Sequence, residues 1–292
     1  MAGPKLAVAV STAGGLGFIG PGTKTANMLS DLEEASTLIK NSDLASQVPT
    51  LKTLPVGVGF QLWSDDLDVA VRAVPEFKPC VVCLYAPKEF PDLDTWSQRL
   101  RAVLPDSQIW VQVGTLGEVK SLLRMSTSAS KHEKPDAIVV QGSEAGGHGR
   151  ANDGLGLVSL LPEAADFQGA SAALCLGAAG VVLGTRFLAA TEARISSGYQ
   201  REIVGPRTTR PRTIINQSFI KHQTGTAFEE LKKRHDEHSR LGDGGWGPEG
   251  RLATYAGASV GLIHDVKDAG EIVREVRDGL KRTIRLTQRA SL

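Results

Sequence analysis

Short apolar runs alternate with longer amphipathic stretches through the first half of this chain. Five runs carry the β-branched, nearly uninterrupted apolar character of strands covered on both faces: Leu16–Gly20, Val56–Phe60, Val81–Tyr85, Ile109–Val113 and Ile138–Gln141. Between them the spacing predicts helices over residues 4–13, 24–42, 65–74, 92–104 and 116–125. The first has Pro4 at its start and Gly14-Gly15 at its stop. The second carries an apolar stripe of Leu29, Leu32, Leu38 and Ile39. Acidic residues open the third, as suits a helix N-terminus. Strand and helix in strict alternation predict parallel βαβ units, in either a closed barrel or an open doubly wound sheet.

The rhythm then breaks. The next strand-like run is Val181-Val182-Leu183, and the chain before it reads as two helices, 155–167 and 170–179, separated only by Gln168-Gly169. A polar region over 195–253 follows, holding many of the remaining basic residues and histidines and ending in a glycine-rich stretch, 242–248. Residues 266–286 read as a last helix. The domain reading is a core over 1–194, a helical insertion over 195–253, and a closing segment over 254–292.

The chemistry concentrates after the fifth strand. Gln141-Gly142-Ser143-Glu144-Ala145-Gly146-Gly147-His148-Gly149-Arg150 places four glycines, a glutamate and a histidine in one loop. A loop at the carboxyl end of a parallel strand is a usual place for a site. Glycine there admits close backbone approach, and histidine can exchange a proton near neutral pH.

Gln141–His148 resembles the hallmark of the nitronate monooxygenases, which are FMN-dependent (β/α)8 barrels. Ser11–Gly20, Val56–Phe60, Gly180–Leu188 and Tyr255–Gly261 are similar to further segments of that family, in the family's order. Flavin-dependent enoyl-acyl carrier protein reductases share much of this pattern. The resemblance implies an α/β protein of TIM type with a small helical lid. It also implies that two strands of the eight, the first and the seventh, have no counterpart here, which leaves six recognisable strands. An open or distorted barrel is therefore expected, with the strand at Val181 moved beside that at Ile138. The family's first strand ends in Ala-Pro-Met, and this chain is read as beginning at that methionine. The seventh strand's Gly-Gly loop, which helps hold the FMN phosphate, is missing from the text.

The same resemblance assigns roles. His148 matches the base that takes the acidic α-proton of a nitroalkane. Gly184 and Thr185 would cradle the phosphate, with Arg186 pairing either with it or with a rim carboxylate. Gly146 and Gly147 would bring backbone to the cofactor, and Gln61 and Gln112, at strand ends, would hydrogen-bond the ring. Glu144 reads as an orienter. The implied reaction turns an alkyl nitronate and O2 into a carbonyl compound and nitrite. Two alternatives stand beside it: reduction of an activated alkene with NAD(P)H on the same flavin, and a degenerate member that no longer holds FMN.

Composition narrows the remainder. With 33 Lys+Arg against 32 Asp+Glu the net charge is +1, so nothing in the balance points to nucleic acid or a membrane surface. No apolar run reaches membrane-spanning length, no basic cluster precedes the apolar start, and the cytosol is the expected compartment. Three cysteines do not make a disulfide framework. Cys80 and Cys83 have metal-like spacing, but on a strand they face opposite sides, so core packing is expected and no metal. His235 and His238 stand three apart on a charged helical stretch and read as a solvated face.

Overall fold

A computed structural model of the chain describes residues 1–20, 22, 24–46, 50–128, 134–143, 145–146, 173–174, 178–204, 233, 236–246 and 255–290. Two compact units divide it. The first holds Met1–Gln141, Glu192–Arg194 and Ala269–Val273; the second holds Gly142–Thr191, Ile195–Asp268 and Arg274–Leu292.

The first unit is a parallel sheet backed by helices. Its strands are β1 (Phe18–Ile19), β2 (Leu54–Gln61), β3 (Pro79–Tyr85), β4 (Gln108–Val113) and β5 (Ala137–Val140). They pair in sequence order, β1-β2-β3-β4-β5, and every pairing is parallel. A doubly wound sheet would reverse its strand order at a switch point. An unreversed order is that of successive staves of a (β/α) barrel. The helices are α1 (Pro4–Thr12), α2 (Asn27–Lys40), α3 (Leu67–Ala73), α4 (Asp92–Val103) and α5 (Leu116–Ser128), each within a few residues of the sequence reading. Pro4 opens α1, and Gly14, at φ 89°, turns the chain in the left-handed conformation just past its end.

Register separates the sheet's two faces. Ile19, Val58, Val82 and Ile109 stand side by side, as do Phe60, Leu84, Val111 and Ile138. These residues are in or against the core shared with the helices, with Phe60 at a ring distance of 5.6 Å from Trp96 of α4. The other face carries Phe18 beside Gly57, then Gly59, Cys83, Trp110 and Ala137, then Gln61, Tyr85, Gln112 and Val139. A Cβ on Gly57 would lie 2.4 Å from the Phe18 ring, so that glycine makes room for an aromatic. Residues 192–194 join this unit because Arg194 makes a two-bond ion pair with Asp31 (2.8 and 2.9 Å). Both carboxylate oxygens of Glu192 accept from the Ala269 N–H.

The second unit contains no strand among its described residues. Val181–Leu183, expected as a strand beside Ile138, is irregular backbone, and Val182 is 64% exposed. Among the described residues no strand pairs with it, and without a neighbour a β-branched run has no ladder to join and its propensity alone does not hold it extended. Among the described residues the sheet therefore has five strands where six are expected. The described elements here are the 3₁₀ turns Thr185–Ala189, Gly242–Gly245 and Ala258–Leu262, and helix α6 (Ser197–Val204). Ala189, Tyr199, Ile203, Ala256, Val260 and Ile263 form its core. The last helix, α7 (Ala269–Ala290), starts in the first unit and continues into the second. The helix expected over 155–167 lies outside the described residues; of that expected over 170–179, Ala173 and Leu174 are helical, Ala178 and Ala179 are not, and the rest lie outside.

Candidate active site

In the first unit, polar side chains gather at the carboxyl end of the sheet's inner face. Gln61 of β2 pairs with Tyr85 of β3, and Gln112 stands on β4 one strand further on. Strands run about 4.8 Å apart, so three hydrogen-bonding side chains on neighbouring strands can address one flat ligand. All three are half-buried. Gln112 Nε2 donates to Gln141 Oε1 at 2.9 Å, which ties β4 to the chain leaving β5. Burial raises the Tyr85 phenol well above its ordinary range, and the nearby Asp65 charge pushes the same way, so the hydroxyl stays protonated.

The loop after β2 is firmly held. The Gln61 N–H donates to Asp65 Oδ2 (2.6 Å), and the Thr25 hydroxyl donates to Asp65 Oδ1 (2.7 Å). The Leu62 and Trp63 amides donate to the Tyr85 and Ala86 carbonyls at 2.9 and 3.1 Å. Asp66, not Asp65, caps α3 by accepting from the Val69 N–H at 3.0 Å.

In the second unit, three of the sequence segments converge. A Cβ on Gly146 would stand 2.5 Å from the backbone of Ala256 and Gly257, so this glycine admits the chain's own backbone. The Gly257 N–H donates to the Thr185 hydroxyl (2.9 Å). The Tyr199 hydroxyl donates to the Tyr255 carbonyl (2.8 Å) and accepts from the Tyr255 N–H (2.6 Å). Burial pushes that phenol up to about 12. Arg186 takes the second of its two expected partners, a rim carboxylate: Asp265 Oδ1 at 2.8 Å, with the Asp265 carbonyl at 3.1 Å. Gly184 opens the turn at Thr185–Ala189, and nothing lies within 4 Å of where its Cβ would stand.

Of the residues expected in the site, Gln61 and Gln112 come together on the first unit's sheet, and Gly146 and Thr185 in the second unit's cluster. His148, Gly147 and Glu144 lie outside the described residues. Sequence reasoning passed over Tyr85, Gln141 and Asp65 as site residues. Tyr85 was legible through its place in the alternation of β3, on the face opposite Leu84.

On the first unit's sheet, Gln61, Tyr85 and Gln112 offer neutral donors and acceptors of the kind a flavin ring edge takes; in the second unit, taken by itself, the Gly184 backbone has open space beside it. Among the described residues no group of His, Cys, Asp and Glu could hold a metal, and Cys80 and Cys83 are free thiols.

An unreversed parallel βα order with its polar residues at the carboxyl ends of the strands defines an α/β enzyme of TIM-barrel type. The family description of nitronate monooxygenases matches residues 103–220. The nitronate monooxygenase npaC of Metarhizium robertsii is 45% identical over 320 aligned positions, covering 95% of this chain and 87% of that one. Those positions outnumber the 292 residues here, so the relative carries internal segments without counterpart in this chain. The structure of FabK from Thermotoga maritima superposes with a TM-score of 0.70 at 24% identity, covering 100% of this chain and 92% of that one. The nitroalkane oxidase of Streptomyces ansochromogenes gives 0.69 at 21%, covering 98% and 94%. Both are TIM barrels. The chain belongs to the nitronate monooxygenase family, whose members are flavin-dependent, and it is an oxidoreductase.

Proposed function

We propose that this chain binds FMN and oxidises small alkyl nitronates with O2, yielding a carbonyl compound and nitrite, with His148 as the base. The observation that carries this reading is the relative of 45% identity, a nitronate monooxygenase, aligned over 95% of the chain. The gathering of Gly146, by close backbone approach, with the hydrogen-bonded Thr185 and Gly257 adds support, since all three come from segments that resemble the family's.

Bound FMN would supply an electron acceptor that, once reduced, can react with O2. The chain's own residues do the rest. Gln61 and Gln112 would hold the ring edge from the mouth of the sheet. The Gly184 and Thr185 amides would face the phosphate. Thr185 has its hydroxyl engaged by Gly257, so its backbone is what remains for that task. Arg186, held by Asp265, shapes the turn instead of neutralising the phosphate. His148 would draw the α-proton from a nitroalkane, leaving the nitronate, and would pass that proton on to water. A base placed in this way contributes typically about 10²–10⁴-fold. Residues 195–253 would form a lid on the substrate side, and the cytosol remains the proposed compartment.

The test is to supply the FMN-loaded protein with ethyl nitronate and follow nitrite release together with oxygen uptake. Expected are nitrite in step with oxygen, and in His148→Ala a loss of about 100-fold or more with nitroethane as substrate. Oxidation of added NAD(P)H without nitrite would overturn the reading in favour of an alkene reductase.

A further inference from the structure

We propose that Asp65 is a positioning residue: it fixes Gln61 at the mouth of the sheet, and so sets the direction in which the Gln61 carboxamide meets bound FMN. The inference rests on the reading above that Gln61 contacts the cofactor.

Both oxygens of the carboxylate are engaged in this task. Oδ2 accepts from the Gln61 N–H and Oδ1 from the Thr25 hydroxyl. Thr25, 7% exposed, also accepts from the Asp66 N–H at 2.9 Å. The loop after β1 and the loop after β2 are thereby closed on each other through one carboxylate. The next two residues are held from the other side by the Tyr85 and Ala86 carbonyls. Ala86 does so at φ 51°, a left-handed conformation that a residue with a Cβ rarely adopts. Strain of this kind persists where the surroundings over-determine it, and it clusters at functional sites. Gln61 thus sits between two sets of restraints. The backbone angles they impose limit the rotamers open to its side chain, and the Ser64 hydroxyl donates to the carboxamide Oε1 at 3.4 Å.

Asp65 is not needed to begin α3, because Asp66 caps that helix. Nor does burial favour it. Desolvation raises the carboxyl above its ordinary value despite the bonds from Thr25 and Gln61, so the charged form is held in place at a cost. A carboxylate kept half-buried at the mouth of a sheet, with one oxygen on the Gln61 amide and the other on the loop after β1, matches a positioning role better than a stabilising one.

The test is a double-mutant cycle on the full-length chain: wild type, Gln61→Ala, Asp65→Asn and the double variant. Each is titrated with FMN by fluorescence quenching and melted in parallel. Asparagine keeps one acceptor oxygen and cannot serve both donors, so Asp65→Asn is expected to weaken FMN binding by about 3–10-fold. Its thermal midpoint should be unchanged or higher. In the Gln61→Ala background the same change should add less than about twofold, because its effect runs through the missing side chain. Thr25→Val, which removes the bond to Asp65 and the one from the Asp66 N–H but leaves the carboxylate, should reproduce the direction of the effect. An Asp65→Asn loss that persists in full without the Gln61 side chain overturns the inference. So does unchanged FMN affinity in Asp65→Asn while Gln61→Ala weakens binding, or an unchanged affinity in Gln61→Ala itself. A wild-type chain that takes up no FMN removes the reading of the site, and this inference with it.

Discussion

The two units of this chain are built from similar apolar runs and reach different ends. In the first, five runs find partners in order and become strands whose outward residues are fully buried: Val58, Phe60, Val82, Leu84 and Ile109 are each 0% exposed. In the second, Val181-Val182-Leu183 has the same composition as those strands and remains irregular and exposed. The difference teaches that strand character in a parallel sheet is conferred by neighbours. An apolar run contributes half of each ladder, and an absent partner removes the other half.

The largest effect that would sharpen this contrast is at the core. Phe60→Ala should destabilise the chain by about 3–5 kcal/mol in denaturant unfolding, whereas Val182→Ala should stay within about 0.5 kcal/mol. A large cost at Val182 would mean that the second unit's run is packed after all. Next come the two glycines of the site. Gly146→Ala must displace backbone and should cost about 1–3 kcal/mol, while Gly184→Ala, whose new methyl meets open space, should leave the melting temperature almost unchanged. Equal effects at the two positions would break the account of the second unit's cluster.

A smaller effect tests how that cluster is held. Tyr199→Phe removes the donor to the Tyr255 carbonyl and strands the Tyr255 N–H, at a cost of about 1–3 kcal/mol if both groups stay buried. The change is best followed by hydrogen exchange at residue 255.

The smallest effect returns to the first sheet. Burial pushes the Cys80 thiol up to about 11 and that of Cys83 up to about 12. Both lie above the ordinary value of 9.0, so the unfolded chain gives up these protons first. Between pH 9 and 11–12 the folded state binds more protons, and stability falls as pH rises through that window. Both thiols should also resist alkylation at pH 8 in the folded protein. Rapid labelling of Cys83 would show that the inner face of β3 opens readily, and of Cys80 that the helix-packed face does.

Much of the first unit was legible because period and punctuation agreed: proline and glycine framed α1, and apolar runs of strand length marked β2 to β5. The sixth strand was not legible, since no local signal reports an absent neighbour. Within the site, Gln61 and Gln112 were readable from their places at strand ends. Asp65 was read as a helix-opening acid, although the cap belongs to Asp66; one residue of offset separated a cap from a clamp on Gln61. The sequence offers Gly146 as room for a cofactor, and the close approach it permits in the structure is to Ala256 and Gly257. Glycine marks close approach without saying what approaches. For Arg186 the sequence admits phosphate or carboxylate, a choice that depends on Asp265, far away in sequence.

The most direct measurement is the visible spectrum of the purified chain, incubated with excess FMN and then desalted. Flavin bands at close to one equivalent per chain are predicted, because the chain belongs to a flavin-dependent family and the proposed function needs FMN bound. A protein that leaves the column colourless would contradict the account, and would mean that the segments present in its relative and missing here are the ones that hold the cofactor.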